Sequence, residues 1–457
     1  MDALSNRETE GMVKDALREH GKLAQRSSPL RPTFMVWLVL AMTLFRSLSI
    51  PNVLKQLVAM LRRKKSTMPL ASVTDGAVAH ARCRLGASPF KRFFEALGEL
   101  IAPASSFHGL RPWAVDGVQM TMPDTPANVK AFKKPASWRA KAAWPQMKVV
   151  TMTDTITHGI RAARMAPCDA DERELARPLL AQLSVGDLGI IDRGLYAART
   201  LHDIDAGGAK YLARVPGFVK PRILRVLGHG DYLVEIVIHP KRRKKRTKGK
   251  NKKRARRRRN PARKLVARMI AYRVKGEQAK VRVLTDLTDA DEIPARELAL
   301  LYHERWEAEI GYDEVKSHFQ TVAHGTQHTA FRSKSPELVE QELWAMLCAY
   351  NLVRALIADA ANAHGIPPRE ISFVDALVAI KASLLEVQDA PAKRLVWLHR
   401  RLLRDIADCR LDRPRRPRVY PRVVKVKMSN YKKKRRNHRQ KSRFIERDLV
   451  LVRHRVA

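Results

Sequence analysis

The chemistry this chain offers sits first in one stretch, Leu301 to Phe319, reading LYHERWEAEIGYDEVKSHF. On one continuous helix, at about 100° per residue, Tyr302, Arg305, Glu309 and Lys316 would fall near about 0°, 300°, 340° and 320°, a single face narrower than a quarter turn. A plain amphipathic helix puts apolar residues on such a stripe, so a carboxylate, two cations and a phenol together need a partner. A phosphate held with a metal ion fits. Glu309 offers oxygen to a divalent cation, while Arg305, Lys316 and the Tyr302 hydroxyl can grip a phosphodiester. The plainer alternative is a solvated face with charges paired at i, i+4, as Arg305 with Glu309.

Two carboxylates upstream favour the first reading. Asp116 lies within WAVDGVQMTM, and Asp192 ends the apolar run LGIID just before Arg193-Gly194. Taken singly, Asp116-Gly117 could be a strand bulge and Asp192-Arg193-Gly194 a turn. Asp116, Asp192 and Glu309 are separated by 76 and 117 positions, so only a fold can gather them. Three converging carboxylates without a metal would repel, and at least one would keep its proton. Two Mg²⁺ ions about 4 Å apart, with Mn²⁺ as a substitute, would relieve this, activate a water or hydroxyl and stabilise the leaving oxygen. The expected reaction is phosphodiester cleavage or transfer, with all three acids as catalytic metal ligands.

The elements that must position these residues follow from the patterning. Residues 1–29 are polar with scattered helix formers and are expected to be a flexible arm. Residues 30–107 read as short helices: TFMVWLVLAMTLF, IPNVLKQLVAML, GAVAHARCRLG between Thr74-Asp75 and Gly86, then SPFKRFFEALGELI. With Lys and Arg on their outer faces they suit a DNA-binding head, or equally an ordinary helical bundle. From Trp113 the period becomes that of strands. WAVDGVQMTM and the two runs of MKVVTMTDTITHGIRAARM give a three-stranded meander. A helix over Glu172 to Leu183, kinked at Pro178, the buried strand LGIID, a helix over 195–205 and the strand KYLARV follow.

That succession is the order of a ribonuclease H-like core, expected over 108–215 and resumed at 293–330 by a catalytic helix from Arg296 to Phe319. Between them, 216–292 alternates as strands and reads as an inserted β-subdomain. Its segment from Lys241 to Lys264 holds 17 Lys or Arg in 24 residues and should be a disordered loop linking two strands. Helices are expected again over 331–412. The tail from 413 to 457, with RPRRPRVYPR and YKKKRRNHRQKSR, should be extended or disordered until bound. The expected class is α/β, a ribonuclease H-like core with a β-insertion behind a helical DNA-binding domain.

Bulk properties agree. The 457 residues carry a formal net charge of +43, and the pI is near 10.7. Self-repulsion of that size calls for a polyanion, so nucleic acid is the expected partner. No apolar run approaches a membrane span, the longest being Phe34 to Phe45, and no secretory signal precedes it. Cys83, Cys168, Cys348 and Cys409 stand too far apart for structural zinc and read as buried small hydrophobes in a reducing compartment.

The residues already named carry a resemblance. Tyr302, Arg305, Glu309 and Lys316 stand in the spacing Y-x2-R-x3-E-x6-K, which resembles the signature of bacterial DDE transposases of the insertion sequence four family. WAVDGVQMTMPDTPAN looks like that family's first-aspartate motif and GDLGIIDRGLY like its second; HARCRLGASPFKRFFEAL is similar to its N-terminal helical domain. The resemblance covers roughly residues 30–365. It implies Asp116, Asp192 and Glu309 as the metal-binding triad, with Tyr302, Arg305 and Lys316 on transposon-end DNA. It further implies that water frees a 3′-hydroxyl which then attacks target DNA, in a homodimer pairing two terminal inverted repeats, in the bacterial cytoplasm beside the nucleoid. The tract from Lys241 to Lys264 is longer and more basic than the family's insertion. The competing functions are a catalytically inactive DNA-binding relic and a stand-alone nuclease, and metal-dependent nicking and a joined target product separate them.

Overall fold

The computed structural model describes residues 7–23, 29–62, 73–101, 106–135, 142, 144–238, 263–275, 280–319, 321–322, 328–329, 331–412, 418–419 and 443–454. It divides into two compact units, Met1–Leu179 with Arg305–Arg415, and Leu180–Glu304 with Arg416–Ala457. In chain order the helices α1 (Arg7–Glu19), α2 (Pro32–Leu44), α3 (Ile50–Arg62), α4 (Asp75–Leu85) and α5 (Ser88–Leu100) lead to β1 (Arg111–Thr121). Then come α6 (Pro126–Phe132), β2 (Gln146–Asp154), β3 (Ile160–Pro167), α7 (Glu172–Leu180), β4 (Asp187–Ile191), α8 (Ala198–Ala206) and β5 (Lys210–Arg214). The strands β6 (Arg222–Gly228), β7 (Asp231–Ile238), β8 (Arg263–Val274) and β9 (Val281–Thr285) precede α9 (Ala295–His303) and α10 (Trp306–Phe319). After the short pair β10 (Thr321–Val322) and β11 (His328–Thr329) stand α11 (Pro336–His364), α12 (Phe373–Asp389) and α13 (Ala392–Asp408). Near the end lie β12 (Arg418–Val419), β13 (Arg443–Phe444), α14 (Ile445–Asp448) and β14 (Leu449–Leu451).

The first unit is built around α11. Ser335 and Pro336 start this helix, Gly365 ends it in the left-handed region at φ 64°, and apolar residues around most of its girth are buried. Its neighbours α2 and α5 share one apolar core with it: Phe90, Phe93 and Phe94 of α5 and the nearly all-apolar α2 lie in the same cluster as Leu343, Tyr350 and Leu356. The helices of 30–107 therefore share a core with the helices of 331–412. Gly98 lets α5 lie against β3, since a Cβ there would stand 2.1 Å from the Arg161 carbonyl. The strands β1, β2 and β3 form the expected antiparallel meander.

In the second unit β4 pairs in parallel with β5, and β5, β9, β8, β7 and β6 continue antiparallel. All five residues of β4 are buried, the apolar Leu188 to Ile191 and before them Asp187, whose carboxylate accepts from the Ser184 amide at 2.9 Å and hydroxyl at 3.0 Å. The succession from β1 to β5 is that of a ribonuclease H-like core, and the strands β6 to β9 that follow add the β-insertion.

Several expectations need correction. Residues 7–19 are not a loose arm but α1, whose Val13, Ala16 and Leu17 are spaced to bury one stripe. The end of the basic tail is ordered as well. Leu449 to Leu451 pair with Val274 to Tyr272 of β8, because an apolar LVL can add to an open strand edge. The basic tract expected from Lys241 to Lys264 lies outside the described residues up to 262, and its last two residues begin β8, which joins β7 through the pair Ile238 and Arg263. Cys83 is exposed rather than buried. Finally, α11 has the length and apolarity of a membrane span, with a mean hydropathy of 1.3, yet 83% of that window is buried within the protein, as in a core helix.

Candidate active site

The expected single helix over 301–319 is broken. The structure ends α9 at His303 and starts α10 at Trp306. At the join the Glu304 amide bonds the Leu301 carbonyl at 2.9 Å and the Ala308 amide bonds the Arg305 carbonyl at 3.1 Å, both three-residue closures of the tighter 3₁₀ kind. The chain passes here from one unit to the other. Tyr302 is held by contacts within the second unit and Arg305 by contacts within the first, so two cores each claim one helix. The four signature residues are thus not one continuous helical stripe.

In the first unit, Asp116 stands in β1 opposite Thr151 of β2, in a register that runs unbroken from Trp113 to Thr121, so no bulge occurs at Asp116-Gly117. Its carboxylate accepts from Arg305 Nη1 at 2.5 Å, and Arg305 Nη2 reaches Glu309 Oε1 at 3.0 Å. One guanidinium therefore bridges two carboxylates that are 193 positions apart in the chain, at 116 and 309. The Arg305 side chain is 8% exposed, that of Asp116 15% and that of Glu309 39%, so this is a partly open site. The glycine after Asp116 has its own reason: a Cβ at Gly117 would stand 2.2 Å from Glu172 Oε1, because the first turn of α7 lays that side chain over the strand.

In the second unit, Asp192 follows β4 and opens a 3₁₀ turn, Arg193–Leu195. The turn reading of Asp-Arg-Gly is thus also true. The buried Tyr302 hydroxyl donates to Asp192 Oδ1 at 2.9 Å. Lys316 is half-buried on α10 and makes no ion pair among the described residues. The structure thus brings together Asp116, Arg305 and Glu309 in one unit and Asp192 and Tyr302 in the other. Among the described residues no three His, Cys, Asp or Glu side chains gather closely enough to hold a metal ion.

Sequence reasoning missed the residues that seat α10. Tyr312 donates its hydroxyl proton to the Asp116 carbonyl at 2.6 Å, and Thr151 Oγ1 lies 2.7 Å from the Tyr312 hydroxyl oxygen. Burial, then the charge of Asp116, pushes the Tyr312 phenol far above its ordinary value, so it remains a donor. A second seat is His158, fully buried at φ 62° in the Thr-His-Gly turn between β2 and β3. Arg354 Nη2 can only donate, so His158 Nδ1 accepts from it at 2.8 Å, leaving Nε2–H for Glu307 Oε2 at 2.7 Å. Glu314 bonds Arg354 and Tyr350. Burial alone would raise its carboxyl, but Arg354 and His158 outweigh it and hold Glu314 well below the usual range. The one sequence signal was a histidine where a turn needs a left-handed residue.

Comparison with known proteins shows the family. Residues 108–352 match the family described as Transposase DDE domain, and residues 3–95 match Insertion element 4 transposase N-terminal. Transposase InsG for insertion sequence element IS4, from Escherichia coli strain K12, is 32% identical over 429 residues, covering 92% of this chain and 91% of the relative. Among solved structures, the piggyBac transposase synaptic complex with hairpin DNA gives a TM-score of 0.44 at 10% identity, covering 88% of this chain and 84% of that one.

Proposed function

The chain belongs to the DDE-domain transposases of the insertion element 4 type and is a DNA transposase; on that premise we propose that Asp116, Asp192 and Glu309 are the three carboxylates that hold its metal and cut transposon ends. The observation that carries the assignment is the single guanidinium of Arg305 shared by Asp116 and Glu309. Two acids from distant parts of the chain already converge on a cation, and the three proposed ligands are all carboxylates, without thiolate or imidazole, a donor chemistry that suits a hard divalent ion. The family is metal-dependent, and the metal proposed here is Mg²⁺, as two ions with Mn²⁺ as a substitute. When bound it supplies charge stabilisation for the phosphodiester and a more acidic water or hydroxyl.

The chain's own residues do the rest. Arg305 and Lys316 grip the phosphates of the end DNA, and Arg305 keeps Asp116 and Glu309 from repelling while it holds them. Tyr302 fixes the orientation of Asp192 through its hydroxyl. The helices of 30–107 serve as the DNA-binding head, and the basic tract and tail, 241–264 and 413–457, neutralise further phosphates. The substrates are terminal inverted repeats and then target DNA, engaged by a homodimer in the bacterial cytoplasm beside the nucleoid.

The test is cleavage of duplex DNA carrying the element's own terminal repeats by purified protein with Mg²⁺. The expected products are a freed 3′-hydroxyl end and a molecule joined to target DNA. Asp192→Ala should yield neither while still shifting the DNA on a gel; cleavage by that variant at the wild-type rate overturns the role of Asp192. Arg305→Ala and Lys316→Ala should each flatten the salt dependence of end binding by about one charge.

A further inference from the structure

We propose that Tyr312 is a positioning residue for the cleavage reaction, its buried hydroxyl setting the strand of Asp116 against the helix of Glu309. The inference rests on the assignment of those two acids made above. One oxygen atom joins three segments. The Tyr312 hydroxyl has a single proton, which it gives to the Asp116 carbonyl at 2.6 Å; Thr151 must then be the donor in the 2.7 Å contact to the same oxygen. Thr151 is the residue directly opposite Asp116 in the register of β1 with β2, and it accepts in turn from Thr153 at 3.0 Å. Tyr312 itself stands on α10 three positions after Glu309, within the same turn. The hydroxyl therefore bonds the backbone of the first acid, the cross-strand partner of that acid, and the helix bearing the third.

Among the described residues this atom bonds Asp116 and Thr151. Tyr312 is 5% exposed, and its ring lies in the core cluster with Val118, Met147 and Val149 of the two strands it ties. The next residue after Asp116 is confined as well, since the Glu172 side chain fills the space a Cβ of Gly117 would take. On α10 the opposite side of Glu309 is secured by Glu307 on the buried His158. Glu309 is thus bracketed by two polar anchors, Glu307 on the buried His158 and the buried Tyr312, while its own carboxylate stays partly open. Such bracketing is what a reaction sensitive to the placement of its carboxylates requires.

Tyr312→Phe deletes the oxygen and keeps the ring. The proposal predicts a fall in the single-turnover cleavage rate of roughly tenfold to a hundredfold, the scale of a misplacement near 1 Å. The KM for end DNA should stay at the wild-type value, and calorimetric titration should show weaker Mn²⁺ binding. Tyr232→Phe is the control for losing a buried phenol oxygen: its hydroxyl accepts from the His454 amide at 2.8 Å on β7, and its loss should leave the cleavage rate and Mn²⁺ binding unchanged. Thr151→Val removes one of the two bonds and should show a smaller fall in the same direction. A wild-type rate and Mn²⁺ affinity in Tyr312→Phe overturn the proposal, and so does an equal loss in Tyr232→Phe. Cleavage surviving in Asp116→Asn instead overturns the underlying assignment of the acids, whatever Tyr312→Phe does.

Discussion

At Glu342 one carboxylate collects many donors, whereas at Arg305 one guanidinium is divided between two carboxylates. Both centres lie in the first unit. Glu342, 3% exposed in its side chain, receives Arg82 Nη2 at 3.3 Å, Arg46 Nη1 at 3.4 Å, the Arg332 amide at 2.9 Å and the Ser333 hydroxyl. Arg82 adds Gln341 at 3.0 Å and Ser333 at 3.1 Å. These bonds tie α4 and the end of α2 to α11. At the other centre Arg305 serves Asp116 and Glu309, with Glu309 39% exposed. The groups are the same and the ratio is reversed. A surplus of buried donors around one charge makes a fixed joint, since removing any partner strands the others. A surplus of carboxylates around one cation leaves negative charge for a further cation to neutralise, and the partial opening lets it in.

The sharpest way to break this contrast is to neutralise each centre in turn. Asp116→Asn or Glu309→Gln should lower DNA cleavage by at least about a thousandfold, some 4 kcal/mol of barrier, while thermal unfolding stays at or slightly above the wild-type temperature. Gel-based cleavage and calorimetry on the same samples would check both halves; a large loss of stability in these variants would make the Arg305 centre a structural joint like the other.

Glu342→Ala should do the converse. It leaves Arg46 and Arg82 buried without their acceptor, which typically costs about 3–5 kcal/mol, while the cleavage rate per folded molecule stays unchanged. Urea unfolding alongside active-site titration reads the two quantities.

The same joint should show in the response to pH. Burial alone would raise the Glu342 carboxyl, but Arg46 and Arg82 hold it below its ordinary 4.5. A carboxylate lowered on folding contributes stability that is fully present above its unfolded value and is lost as pH falls through the folded one. Wild-type protein should therefore lose stability steeply below about pH 4.5, together with the similarly lowered Glu314, and Glu342→Gln should lose less over that interval. Unfolding midpoints across that pH range would check the difference in slope.

The smallest effect expected is at the start of α4, which carries Arg82 into the joint. Thr74 Oγ1 accepts from the Ala77 amide at 3.2 Å, and Thr74→Ala should cost about 1 kcal/mol without changing cleavage. A loss as large as that of Glu342→Ala would mean that the cap and the joint act as one unit.

Much of the fold was legible because its signals are local. The cap Thr74 and the terminator Gly86 bound α4, the Thr-His-Gly turn separates β2 from β3, and the apolar LGII before Asp192 reads directly as a buried strand. The candidate acids were legible for another reason: their types and spacings are chemical, and the residues around them are set by that chemistry. Local pattern failed at Leu301 to Phe319, where nothing in the residue periodicity marks the break between His303 and Trp306. It failed again at residues 7–19, where a short apolar stripe on a polar segment looks frayed until α5 is there to cover it.

Composition, periodicity and spacing by themselves made a polyanion the expected partner, gave a ribonuclease H-like succession and placed three acids with a tyrosine, an arginine and a lysine in family spacing. Those are properties of neighbours in sequence, or of charge summed over the whole chain. Tertiary structure alone decided that Arg305 is shared by Asp116 and Glu309, that Tyr312 and His158 seat the helix between them, and that Glu342 rather than any surface charge locks the helices together. Each of those depends on burial and on partners remote in the chain. A hydrogen bond or ion pair gains its energy from geometry and from the water it excludes, neither of which is written in residue order.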